Sequence, residues 1–130
     1  MNLVELLAGV RTIALVGASN RPERPSHDVM RFMQGRGYRV FPVNPGLAGQ
    51  TLLGETVWAT LADLPEAVDM VDLFRASDQV GPVADAAVAV GARVLWMQLG
   101  VVNEDAAARA RAAGLVVVMD RCPKIELLRA

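Results

Sequence analysis

Apolar and polar positions along the 130 residues alternate between two kinds of pattern. Short, nearly unbroken apolar runs ("TIALVG", "YRVFPVNP", "VDMVDLF", "ARVLWMQLG" and "LVVVMD") have the length of strands buried on both faces. Between them lie stretches with helical spacing. "HDVMRFMQGRG" carries an apolar stripe at Val29, Met30 and Met33, with Ser26 as the expected N-cap and Gly37 to close the helix. Ser77 is placed to cap "DQVGPVADAAVAVG", although Gly81 and Pro82 imply a helix that starts a turn late. Asn103 caps "EDAAARARAAG", and "LVELLAGV" predicts a short opening helix.

The stretch "GQTLLGETVWATLADLPEA" is less regular. It predicts an extended piece at Thr56 to Trp58 and one or two helical turns after Thr60. "NPG" ends the second strand with turn chemistry, and "RCPKIELLRA" is left as a tail. Strands alternating with helices predict right-handed crossovers and an α/β fold. The expectation is a Rossmann-like, doubly wound, mainly parallel sheet in one domain over 1–130.

Composition changes this picture in two ways. Hydrophobic residues make up 53% of the chain but aromatics only 5%, so Val, Ala, Leu and Ile must build the core. Thirteen basic residues against 14 acidic ones leave a net charge of −1, with no basic field to attract nucleic acid. No apolar run approaches the roughly 20 residues that span a bilayer, so no membrane partner is expected. "MNLVELLAGVRT" has no basic leader and carries Glu5, and the single cysteine, Cys122, cannot form an internal disulfide. A cytoplasmic protein is the natural expectation.

In an open parallel sheet, ligands bind at the carboxyl ends of the strands, near the point where strand order reverses. At the first end Gly17 lets the chain turn, and amides near Ser19 and at the start of the following helix can face a phosphate. Arg21 and Arg24 add charge-assisted donors, and Pro22 and Pro25 stiffen the loop. The plainer alternative is a solvated loop with its arginines in water. At the second end a nicotinamide site needs Asp or Glu for the ribose diol. That place holds Val43, Asn44 and Pro45, and no carboxylate occurs between Asp28 and Glu55. Asn44 either hydrogen-bonds a nucleotide or holds the turn. At the third end Phe74 could stack on a base and Arg75 could reach a phosphate, or the two are a half-buried ring and a solvated charge. Asp69 and Asp72 sit at the start and middle of this strand as edge or paired groups. At the fourth, Leu99 and Gly100 either let backbone approach a ligand or simply turn the chain.

Taken in order, "IALVGASNRPERPSHDV", "GYRVFPVNP", "LGETVWATLADLPEAVDMVDLFR", "VLWMQLGVVNEDAA" and "VVVMDRCPKIE" resemble the small CoA-binding protein family. Its members are stand-alone relatives of the CoA-binding domain in the succinyl-CoA synthetase α-subunit and in ADP-forming acyl-CoA synthetases. The resemblance runs from about Arg11 to Glu126. It implies a Rossmann-like domain that holds coenzyme A with the diphosphate over the Gly17 loop. Gly17, Ala18, Ser19, Arg24, Pro25 and Ser26 would then belong to the phosphate loop. Val43, Asn44 and Pro45 would lie beside the adenosine, and Phe74, Arg75, Leu99 and Gly100 would line the remaining rim. The larger relatives make the thioester with a phosphorylated histidine from another domain, so ligase activity by this chain alone is not expected.

Other chemistry has little to build on. His27, the only histidine, falls at a helix start and reads as a capping or surface residue. Cys122 is either a reactive thiol beside Arg121 and Lys124 or a small buried hydrophobe. One His and one Cys give no metal-ligand spacing, so no metal is expected. Trp58, Trp96, Met30 and Met33 read as packing residues. Two classes of function remain: a CoA or acyl-CoA binding module without catalysis of its own and with no identifiable protein partner, or an enzyme. The enzyme would be an NAD(P)-linked oxidoreductase or an accessory subunit of an ADP-forming acyl-CoA synthetase.

Overall fold

The five apolar runs become the strands of one sheet in the computed structural model, which describes residues 1–130. In chain order the elements are α1 (Leu3–Ala8), β1 (Thr12–Val16), α2 (Pro25–Gly35), β2 (Arg39–Val43), β3 (Thr51–Leu52), β4 (Glu55–Thr56), β5 (Met70–Leu73), α3 (Val80–Ala89), β6 (Val94–Met97), α4 (Glu104–Ala112), β7 (Val116–Val118) and α5 (Pro123–Leu128). The sheet order is β2-β1-β5-β6-β7, and every neighbouring pair is parallel. From β1 the chain builds outward first to one side and then to the other. The reversal therefore falls between β1 and β5.

Alternation along each strand divides the core into two layers, because successive strand residues face opposite sides. Ile13, Leu15, Met70, Val94 and Trp96 pack with Met30 and Met33 of α2 and Leu127 of α5. Ala14, Val16, Val71, Leu73, Leu95 and Met97 pack with Ala84, Ala87, Ala106 and Ala110 of α3 and α4. Small side chains on these two helices let them lie close to the sheet and to each other. Asp72 interrupts the first layer. It stands in register between Leu15 and Trp96 and is 1% exposed.

Helix α2 ends in a Schellman turn: Gly37 N–H donates to Gln34 O (3.0 Å) and Tyr38 N–H to Met33 O (3.2 Å). Gly37 takes φ +94°, which a side chain would strain. The same pair of bonds ends α3 at Gly91 and α4 at Gly114, so each helix is turned directly into the next strand. At this same amino edge of the sheet Asp69 accepts from the Arg11 and Thr12 amides (2.9 and 3.2 Å) and pairs with Arg93 (3.2 Å). Burial pushes the Asp69 carboxyl up, but these donors together hold it below its ordinary value of 3.8.

Four local expectations are corrected. Helix α2 begins at Pro25 with Arg24 as N-cap, and no side chain caps it; Ser26 is inside the first turn and buried. Proline at the first helical position needs no partner for a missing N–H, which lets the helix start earlier. His27 then falls inside the helix and is 9% exposed rather than at the surface. Ser77 does not cap α3: a 3₁₀ turn, Ser77–Gln79, intervenes, and the late start implied by Gly81 and Pro82 is found. The tail contains α5, which packs on α1 and α2. Thr56 to Trp58 is only partly regular: Thr56 closes the β3–β4 hairpin and Trp58 bridges Val43. The helical turn after Thr60 is the 3₁₀ segment Leu61–Asp63, where the Asp63 carboxylate accepts from Thr60 N–H (3.2 Å) and from its hydroxyl (2.8 Å). Asn103 caps α4 as expected, accepting from Ala106 N–H at 3.0 Å.

Candidate functional site

A cavity of about 900 Å³ opens at the carboxyl edge of the sheet, over the β1/β5 reversal. The loop after β1 forms one wall. Gly17 and Ala18 donate to Val43 O (3.0 and 3.3 Å), so these two amides are spent on β2. The Ser19 hydroxyl accepts from Arg21 N–H (3.1 Å) and folds the loop back. The Ser19, Asn20 and Ser26 amides make no bond within the chain, and Ser26 sits in the positive first turn of α2. Asn44 holds the turn: its Nδ2 donates to Ala18 O (2.8 Å) and its Oδ1 accepts from Gly46 N–H (2.8 Å).

Four basic side chains line the cavity, Arg21, Arg24, Arg75 and Lys124, against one acidic side chain, Asp28. Lys124 and Asp28 pair at 2.6 Å, joining α5 to α2. The three arginines have no carboxylate partner within the chain. Local charge is therefore positive on a chain whose net charge is −1.

Two buried polar atoms in this wall are also unsatisfied: Arg75 Nε and Gln98 Oε1. Gln98 is 5% exposed. Burying an amide oxygen without a donor costs about 1–3 kcal/mol, and a ligand N–H or a water recovers it. Phe74, Leu47, Val101 and Ile125 supply apolar surface.

Of the residues singled out from the sequence, Gly17, Ala18, Ser19, Arg24, Pro25, Ser26, Asn44, Phe74, Arg75 and Leu99 line this one cavity. Val43, Pro45 and Gly100 lie outside its lining. Val43 is in the α3 layer of the core at 2% exposure. Pro45 starts a 3₁₀ turn on the surface. Gly100 belongs to a separate knot, in which its N–H donates to Asp120 Oδ1 (2.7 Å) and its carbonyl accepts from Ser77 Oγ (3.2 Å). Gln98, Cys122, Lys124 and Ile125 also line the cavity without having been placed in a site. Period-two counting through β6 puts Gln98 on the same face as Trp96, and that signal could have found it. Cys122 follows the carboxyl end of β7, where strand-end position alone points to it; Lys124 and Ile125 need α5, whose docking no local pattern shows.

No group of three or more His, Cys, Asp or Glu side chains comes together that could hold a metal ion. No helix is long and apolar enough to cross a membrane.

Comparison with known proteins bears on the fold and the family. The chain is 39% identical over 121 residues to the uncharacterized protein YneT of Bacillus subtilis, covering 93% of this chain and 88% of that one. It superposes on the solved structure of cell-free ID.343 from Thermus thermophilus with a TM-score of 0.94 at 39% identity, covering 99% and 98% of the two chains. A dinucleotide forming acetyl-coenzyme A synthetase 1 from Ca. Korarchaeum cryptofilum, solved with phosphate and ADP, aligns at a TM-score of 0.76 and 26% identity; the match covers 91% of this chain but only 27% of that enzyme. Residues 11–127 match the model of the CoA binding domain, and the chain belongs to that family.

Proposed function

We propose that this chain binds coenzyme A, or an acyl-CoA, in the β1/β5 cavity as a module without catalysis of its own, in the cytoplasm. One observation supports it above the others: three arginines without carboxylate partners and two unsatisfied buried polar atoms converge on one cavity of a CoA binding domain. Coenzyme A offers phosphates for the arginines and amides for Gln98. In this reading Arg21 and Arg24, with the open amides of Ser19 and Ser26, take the diphosphate. Gly17, Ala18 and Pro25 shape that wall. Asn44 borders the adenosine, and Phe74, Arg75 and Leu99 form the far rim.

A nicotinamide cofactor fits less well. The second strand ends on Asn44, whose amide already holds Ala18 and Gly46, so no carboxylate stands ready for a ribose diol. The likeness to part of an acetyl-coenzyme A synthetase favours one second reading, an accessory chain that presents coenzyme A to a separate catalytic protein.

Thermal denaturation with CoA, acetyl-CoA, NAD, NADP, ADP and ATP tests the proposal. Coenzyme A at ten times its Kd should stabilise the fold by about 1.4 kcal/mol, a rise of several degrees in melting temperature. A shift with NAD and none with coenzyme A would refute it. Arg24→Ala should weaken coenzyme A binding about tenfold in calorimetry, since a charge-assisted bond contributes on the order of 1.5 kcal/mol. Arg24 is exposed and makes only backbone hydrogen bonds, so stability should change by less than about 0.5 kcal/mol. Unchanged affinity would remove Arg24 from the site.

A further inference from the structure

We infer that Cys122 is a modification site, at which its thiol exchanges into a mixed disulfide with the sulfur of a coenzyme A held in this cavity; this rests on the coenzyme A reading above. Cys122 is the only cysteine in the chain. It stands between β7 and α5 at 5% exposure, yet it lines the same cavity as Arg21 and Arg24. A thiol so placed is screened from bulk solvent and open to whatever occupies the cavity.

The cavity independently shows that it is built for a ligand on the Cys122 side of the sheet. Gln98 lies in the same wall, 95% removed from solvent, with an Oε1 that no group in the chain satisfies. By strand alternation Gln98 and Trp96 share the sheet face on which Cys122 is packed. Trp96 Nε1 donates to Arg121 O (2.8 Å), which anchors the segment just before Cys122. At about 900 Å³ the cavity is near the upper end of small-molecule sites. That is room for an anionic end at the arginines and a long arm beyond it. Coenzyme A carries amide N–H groups along this arm, suited to Gln98 Oε1, and a thiol at its tip.

The step is thiol–disulfide exchange, and its oxidant is a disulfide of coenzyme A. The Cys122 thiol loses its proton to solvent and its sulfur attacks one sulfur of the bound disulfide. The Cys122 Sγ–S bond to coenzyme A forms as the original S–S bond breaks. The second thiol leaves with the electron pair and takes up a proton. Cys122 is oxidised and the disulfide is reduced, two electrons in all. A free thiol reverses the reaction and releases coenzyme A.

The test uses the intact protein and reads adducts by mass spectrometry under non-reducing conditions. The probes are the symmetric disulfide of coenzyme A, cystine and glutathione disulfide, at equal concentration. A single coenzyme A adduct should form at least tenfold faster than either small-disulfide adduct, and dithiothreitol should remove it. Desulfo-coenzyme A, which lacks the sulfur, should suppress the reaction, and Arg24→Ala should slow it. Equal rates with all three disulfides, or no protection by desulfo-coenzyme A, would overturn the inference by making Cys122 an ordinary thiol. No adduct from the coenzyme A disulfide, in a protein whose melting temperature coenzyme A still raises, would overturn the exchange and leave the binding reading standing. No adduct together with no thermal shift would overturn both.

Discussion

Gly17→Ala is expected to cost about 4 kcal/mol or more of stability, a large part of the roughly 5–15 kcal/mol that holds a small domain folded. Gly17 has φ +93°, where a side chain costs roughly 1–2 kcal/mol. A Cβ built there would lie 2.1 Å from Phe74 O and 2.9 Å from Phe74 C. Both are backbone atoms of the segment leaving β5, which Phe74 N–H ties to Val16 O at 2.8 Å. A flexible side chain could swing away; this carbonyl cannot move without parting β1 from β5. Overpacking alone costs about 1–3 kcal/mol, and a backbone clash belongs at the top of that range. Urea denaturation gives the number directly. A loss below about 1 kcal/mol would mean that the two strand ends separate easily, and the cavity between them would not be a rigid one. The glycine is thus demanded by the neighbouring strand, whatever ligand the loop receives.

Asp72→Asn should stabilise the protein at pH 8, with the gain shrinking as pH falls towards 4. Burial pushes the Asp72 carboxyl well above its ordinary value of 3.8. Its Oδ1 has no hydrogen-bond partner, and its strand neighbours are Leu15 and Trp96. A group whose folded value is raised binds its proton more tightly in the folded state than in the unfolded one. Its contribution is therefore fully present below pH 3.8 and is lost as pH rises through the folded value. Asparagine has nearly the same shape and no proton to lose, so the variant should lack this decline. Chemical denaturation of both proteins from pH 4 to 8 is the measurement. Parallel stability curves would show that Asp72 is solvated or paired in solution.

The main sheet and helices α1 to α4 were legible because each carries a local signal strong enough to act alone. Five apolar runs can hide their backbones only in a sheet covered on both sides. The glycines at 37, 91 and 114 mark the helix ends because a Schellman turn needs a left-handed residue there. Asn103, followed by acidic residues, marks a helix start for an equally local reason. Boundaries were less legible where two local rules compete, as at Pro25 and Ser26, where proline at the first helical position displaced the cap.

The candidate site divides along the same line. Gly17, Ser19, Arg24 and Phe74 could be named because they sit at strand ends, where the topology of any parallel sheet brings chain together. Val43 and Gly100 satisfy the same positional rule and still miss the cavity. The α3 layer claims Val43, and the hydrogen bonds of Ser77 and Asp120 claim Gly100. Nothing near either residue in the chain records those partners. Gln98 and Asp72 carry a polar group on a buried strand face, which the alternation shows, but only packing decides that Gln98 meets a cavity and Asp72 meets Leu15 and Trp96. Lys124 and Ile125 lie about 100 residues from the first loop in sequence and face it only because α5 docks on α2, through the pair Lys124–Asp28. The sequence by itself determined the sheet, its layers and the arginine loop, since period, caps and turns act over a few residues. Tertiary structure alone decided the cavity's far wall, because docking α5 depends on burying surfaces that no neighbouring residue specifies.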